Sequence, residues 1–82
     1  MRTLETIPHP NFLISILYFN EKFILRIETG PYEQVYKFTR EMAPSQEAVK
    51  AFITPTFLDS VKENFNNMHQ TLLQQFNSLK AP

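Results

Sequence analysis

Two runs of apolar residues, each of strand length, dominate the front half of the chain. Phe12-Leu13-Ile14-Ser15-Ile16-Leu17-Tyr18-Phe19 and Phe23-Ile24-Leu25-Arg26-Ile27-Glu28-Thr29 are rich in β-branched and aromatic side chains. Asn20-Glu21 between them reads as a turn pair, because Asn tolerates positive φ. A two-residue loop that pairs Phe19 with Lys22 sets Tyr18 opposite Phe23, Ile16 opposite Leu25, Ile14 opposite Ile27 and Phe12 opposite Thr29. One face of that hairpin is then almost wholly apolar. The other mixes Leu13, Ser15, Leu17, Phe19, Lys22, Ile24, Arg26 and Glu28. A slip of one residue would exchange the two faces, so the pattern specifies its own register. Gly30-Pro31 makes the next turn, and Tyr32 to Thr39 alternates again, with Tyr36 opposite Leu25 and Phe38 opposite Phe23.

The period changes in the back half. Ser45 reads as the N-cap of a short helix with Val49, Phe52 and Ile53 on one side. Thr54-Pro55 then restarts the chain, proline being at home in a first helical turn. Beyond it Phe57, Val61, Phe65, Met68, Leu72, Phe76 and Leu79 recur at spacings of four, four, three, four, four and three, an amphipathic stripe of helical period. The predicted fold is α+β and single-domain over 1–82: an N-terminal arm at 1–11, a three-stranded antiparallel meander at 12–39, a short helix at 45–53 and a long C-terminal amphipathic helix at 55–80, packed on one sheet face (β-β-β-α-α). Thr3 to Ile7 is at best an edge strand, since Pro8 and Pro10 follow it.

These elements differ in length. Strands of eight residues reach ~27 Å, whereas the long helix spans ~39 Å and overhangs the sheet by about two turns. Phe76 and Leu79, with Leu73 beside them, fall in the overhang. The mixed sheet face also carries more large apolar groups than water tolerates well. One core in a domain this small supplies only ~3–5 kcal/mol net, and association is a common remedy. A homo-oligomer, most simply a two-fold dimer, is the resulting expectation. The candidate interface residues are Leu72, Leu73, Phe76 and Leu79 on the helix, and Leu13, Leu17, Phe19 and Ile24 on the sheet. The helix adds one more sign: from Asn64 to Leu79 it holds no Asp, Glu, Lys or Arg, and interface cores are depleted in charge.

Composition narrows the chemistry. The chain has no Cys, which removes disulfides, thiol nucleophiles and Cys-type metal sites. One glycine is too few for a phosphate-cradling loop. Eight Lys+Arg balance eight Asp+Glu, so there is no basic footprint for nucleic acid or an anionic membrane. Phe12 to Phe19 is far short of the ~20 apolar residues that span a bilayer, and Met1 to Glu5 does not read as a signal peptide. The default expectation is a cytoplasmic setting.

No catalytic constellation emerges, and the chain is not expected to be an enzyme. His9 lies between two prolines, and His69 has no carboxylate or histidine three or four residues away, so both read as surface residues and no metal or cofactor is expected. Ser15 lies mid-strand beside Arg26, while Ser45 and Thr54 are caps. Glu28 and Glu33 face each other across a hairpin, but at a solvated end. The partner expected is a second copy of the chain or another protein. The alternative is single-stranded nucleic acid. The order of antiparallel strands followed by a long helix resembles, in outline and in no sequence motif, the PUR and Whirly single-strand-binding folds. That resemblance implies base stacking on Tyr18, Tyr32, Tyr36, Phe19 or Phe38. A small molecule held in an apolar pocket between protomers is a third possibility.

Overall fold

The computed structural model describes residues 1–80, and Ala81 and Pro82 lie outside the described residues. Four strands, β1 (Arg2–Ile7), β2 (Leu13–Phe19), β3 (Lys22–Thr29) and β4 (Tyr32–Phe38), precede α1 (Gln46–Ala51) and α2 (Pro55–Lys80). The strands form one antiparallel sheet in chain order, which makes the architecture α+β. Both hairpin registers are those the side-chain period demands: Phe19 pairs with Lys22, Ile16 with Leu25 and Ile14 with Ile27, then Thr29 with Tyr32 and Phe38 with Phe23. The turns have the backbone that tight hairpins need. Asn20 and Glu21 both take positive φ, at 54° and 62°, the arrangement whose twist matches its flanking strands. Gly30 at φ 56° precedes Pro31, so positive φ comes first and the proline ring fixes the second residue.

The sheet has four strands where the alternation predicts three. The segment expected to be an N-terminal arm pairs along β2 from Arg2↔Tyr18 to Ile7↔Ile14. Its register shifts between Thr3 and Glu5. Such a bulge lets two neighbouring residues oppose one on the partner strand. Leu4 and Ile7, three residues apart, consequently both pack against the core, which an unbroken strand of period two forbids. The prolines stand where β1 has ended and leave its ladder intact.

One face of the sheet carries the core. Ile14, Ile16, Leu25, Ile27 and Phe38 from the strands meet Ala43, Val49, Val61 and Phe65. Ser45 caps α1 by accepting the Ala48 N–H at 3.2 Å, and Thr54 accepts the Phe57 N–H at 3.1 Å at the start of α2. Each cap satisfies a donor that the first helical turn leaves free. The short helix ends at Ala51 with Phe52 as its C-cap, slightly inside the predicted span. α2 then runs antiparallel to β4: Phe57 meets the ring of Tyr36, Val61 receives a hydrogen bond on its carbonyl from Gln34 Nε2 at 2.9 Å, and His69 meets Tyr32. Tyr36 donates to Gln34 Oε1 at 2.7 Å, so the polar atoms along this seam are satisfied.

A polar tie fastens β1 to α1. Glu5 accepts from Gln46 Nε2 at 2.8 Å and lies 3.0 Å from Lys50 Nζ. The Lys50 hydrogen bond, then that of Gln46, holds the Glu5 carboxyl below its ordinary value. The same bond is the main reason that Lys50 is held above its own. A depressed carboxyl stabilises the fold above its unfolded pKa and loses that contribution as pH falls through the folded value. A raised lysine contributes below its unfolded pKa and loses it as pH rises through the folded value. The tie is therefore whole between about pH 5 and pH 10. Glu5→Gln should lower the melting temperature at neutral pH. In thermal unfolding followed from pH 7 to pH 3, the gap to the parent chain should close below about pH 4.

Candidate interaction surfaces

Two surfaces carry the residues that the sequence singles out. The first is the far end of α2. At ~100° per residue, Leu72, Phe76 and Leu79 continue the face that Val61, Phe65 and Met68 press onto the sheet. The sheet ends beside Tyr32, whose hydroxyl lies 2.9 Å from His69 Nδ1. From His69 to Lys80 every residue is exposed. Those beyond His69 extend the helix by ~16 Å, about three turns. Phe76 is 52% exposed and Leu79 76%. Leu72 and Leu73 are exposed as well. Tyr32, Met68, Thr71 and Leu72 line a shallow, mainly apolar groove where the helix leaves the sheet. The overhang gives the molecule a long dimension of 52 Å and a radius of gyration of 15.2 Å, against about 12 Å for a compact chain of this length.

The second surface is the open face of the sheet. Leu17 and Ile24 are only 2% and 4% exposed, so the chain already covers two of the four sheet residues in the candidate interface. Leu17 lies beside Thr3 of β1 and opposite Ile24, which in turn lies opposite Lys37. Leu13 and Phe19 are half exposed, and Val35 joins them. The charges here are mixed. Arg26 Nε is 3.9 Å from Glu28 Oε1 and has no hydrogen-bond partner, whereas Lys22, Glu33 and Lys37 belong to none of the described ion pairs.

The candidate chemical residues are placed apart. His9 accepts the Asn11 N–H at 3.1 Å and stacks on Phe12 with ring centroids 4.9 Å apart, while His69 sits by Tyr32 on α2. Among the described residues no three His, Asp or Glu side chains are grouped to hold a metal ion. A cleft of about 370 Å³ at the opposite end of the sheet is floored by Tyr18, Phe23 and Phe38, with Glu21 and Arg40 3.9 Å apart at its rim. It has an apolar floor and a charged edge, but no nucleophile beside a base. No helix among the described residues is long and apolar enough to cross a membrane.

Comparison with protein-family models, with curated proteins and with solved structures returns no match. The geometry alone therefore bears on function. Along the one stripe of α2, burial separates residues by their role. Phe65→Ala should cost about 3 kcal/mol of unfolding free energy in denaturant titration, as cavity-forming core truncations do. Leu79→Ala, assayed at sub-micromolar concentration, should stay within about 0.5 kcal/mol of the parent.

Proposed function

We propose that this chain is a non-enzymatic protein–protein interaction module of the cytoplasm, acting as a homodimer or as a small subunit of a larger assembly. The uncovered length of the α2 stripe carries this reading. Leu72, Phe76 and Leu79 form a contiguous apolar edge on a helix that has left its own sheet behind. The absence of charge from Asn64 to Leu79 removes the desolvation penalty that would oppose a partner's approach. Burying this edge against a second protein adds favourable transfer free energy at about 25 cal/mol per Å² of apolar surface.

Single-stranded nucleic acid draws less support. Tyr18, Tyr36 and Phe38 pack edge-on or tilted against Phe23, Phe57 and Phe52 on the helix-covered side, and Tyr32 meets His69 there. Phe19 is the one ring of the five on the open face. The cations near it, Lys22, Arg26 and Lys37, share that face with Glu28 and Glu33.

Sedimentation equilibrium at tens of micromolar is expected to return a species heavier than the monomer. Phe76→Asp should shift it towards the monomer with the circular-dichroism spectrum unchanged. A chain that remains monomeric throughout contradicts the homodimer form of the proposal.

A further inference from the structure

The two edges of the sheet are not equivalent. β1 has six residues, carries the bulge at Thr3/Glu5 and runs into Pro8 and Pro10. The bulge is a device that blunts an edge against further pairing, and the prolines stop the strand from extending. β4 has seven residues with no proline, glycine or register shift. The turn at Gly30-Pro31 makes Thr29–Tyr32 a hydrogen-bonded pair. By alternation along the ladder, Glu33, Val35 and Lys37 then direct their N–H and C=O groups to the open side. Val35 is 45% exposed, and neither Glu33 nor Lys37 belongs to a described ion pair.

The sequence of β4 is complementary to itself about Val35. We infer that the partner is a second copy of this chain, joined edge to edge through β4 across a two-fold axis that passes beside Val35. The inference rests on the homodimer reading above and names its seam. An antiparallel pair centred there sets Val35 against Val35, Glu33 against Lys37 of the second copy, and Lys37 against Glu33. On the helix side Gln34 meets Tyr36 and Tyr32 meets Phe38.

Other registers are poorer. A two-fold perpendicular to the sheet preserves its faces, so only slips of two residues compete. A shift one way sets Glu33 against Val35 and brings Lys37 against Pro31, which has no N–H to give. A shift the other way opposes Lys37 to Val35 and leaves Glu33 opposite Thr39, beyond the end of the strand. Larger slips oppose Glu33 to Glu33 or Lys37 to Lys37, and like charges directly opposite are destabilising. Only the Val35 register pairs all seven residues and both charges.

The helices fit the same arrangement. α2 meets β4 through Tyr36, Gln34 and Tyr32 and reaches inward to Phe12 through Phe65, which sets its axis back from the β4 edge. The proposed dimer therefore carries its two copies of α2 on the same face, one on each side of the two-fold. Strand reversal brings the overhang of each helix to the Phe38 end of the other copy. Met42 and Phe52, both exposed large apolar residues, occupy that end. Leu72 and Phe76 thereby gain an apolar neighbour that their own sheet lacks.

Charge reversal tests the seam. Glu33→Lys and Lys37→Glu should each weaken the homodimer roughly tenfold at low salt, because each sets two like-charge pairs across the axis. Mixing the two variants should yield a heterodimer tighter than either homodimer, and both exchanges in one chain should restore association. Glu47→Lys, on α1 away from β4, makes the same charge change as Glu33→Lys and should leave the dimer intact. Amide hydrogen exchange on the unaltered chain adds an independent reading: the N–H groups of Glu33, Val35 and Lys37 should be protected at high concentration and exchange freely on dilution. A dimer indifferent to both reversals, or one whose Val35 amide exchanges freely, overturns the β4 seam and leaves the homodimer reading standing. An unaltered chain that is monomeric overturns both.

Discussion

A strand advances ~3.3 Å per residue and a helix 1.5 Å, and that difference governs the shape of this molecule. Seven- and eight-residue strands end after ~23–27 Å, whereas 26 helical residues continue to ~39 Å. The apolar period of α2 takes no account of where the sheet stops. Val61 and Phe65 therefore sit in the core, while Phe76 and Leu79 on the same face meet water. Nor can the overhang fold back easily. After Pro55 the helix holds neither glycine nor proline, the usual causes of a sharp kink. Tyr32 and His69 form the last ring contact before the rod continues alone.

The fourth strand changes more than the count. With three strands, β2 would be an edge and Leu17 would stand at the margin of the open face. With β1 in place, β2 becomes an internal strand, and Leu17 gains Thr3 on one side with Ile24 on the other. A sheet of four strands thus seals the middle of its own uncovered face and leaves Leu13 and Phe19 exposed at the two ends of β2 and Val35 exposed at the β4 edge. The longest run of exposed apolar residues in the single chain is then the end of α2, from Leu72 to Leu79. The open face of the sheet is thereby less apolar at its surface than its composition implies.

The hairpins were legible because two-residue turns and a period of two leave no freedom: once Phe19 pairs with Lys22, every later pair follows. The long helix was legible for the same kind of reason, with Pro55 marking its start and seven apolar residues marking its face. β1 was legible only as an edge-strand candidate at Thr3 to Ile7, because its bulge sets Leu4 and Ile7 three residues apart and so breaks the period of two. The tie between Glu5 and Lys50 was also hidden. It joins residues far apart in the chain, and charged pairs of that kind leave no period to read. The symmetry of Glu33 and Lys37 about Val35 was present in the sequence all along. It acquires meaning only when the fold puts β4 at an edge and leaves that edge bare.

Edge strands also decide where assembly stops. A heterologous contact between a β4 edge and a β1 edge would leave one of each open and propagate without limit. The proposed two-fold would instead join like to like and consume both β4 edges together. The eight-stranded sheet of that proposed dimer would be bounded on each side by β1, whose bulge interrupts the row of outward N–H and C=O groups and whose chain turns into proline immediately after Ile7. In the proposed dimer, closure at two copies follows from the contrast between the edges. The irregularity that obscures β1 in the sequence is the same feature that would keep such a sheet from growing further.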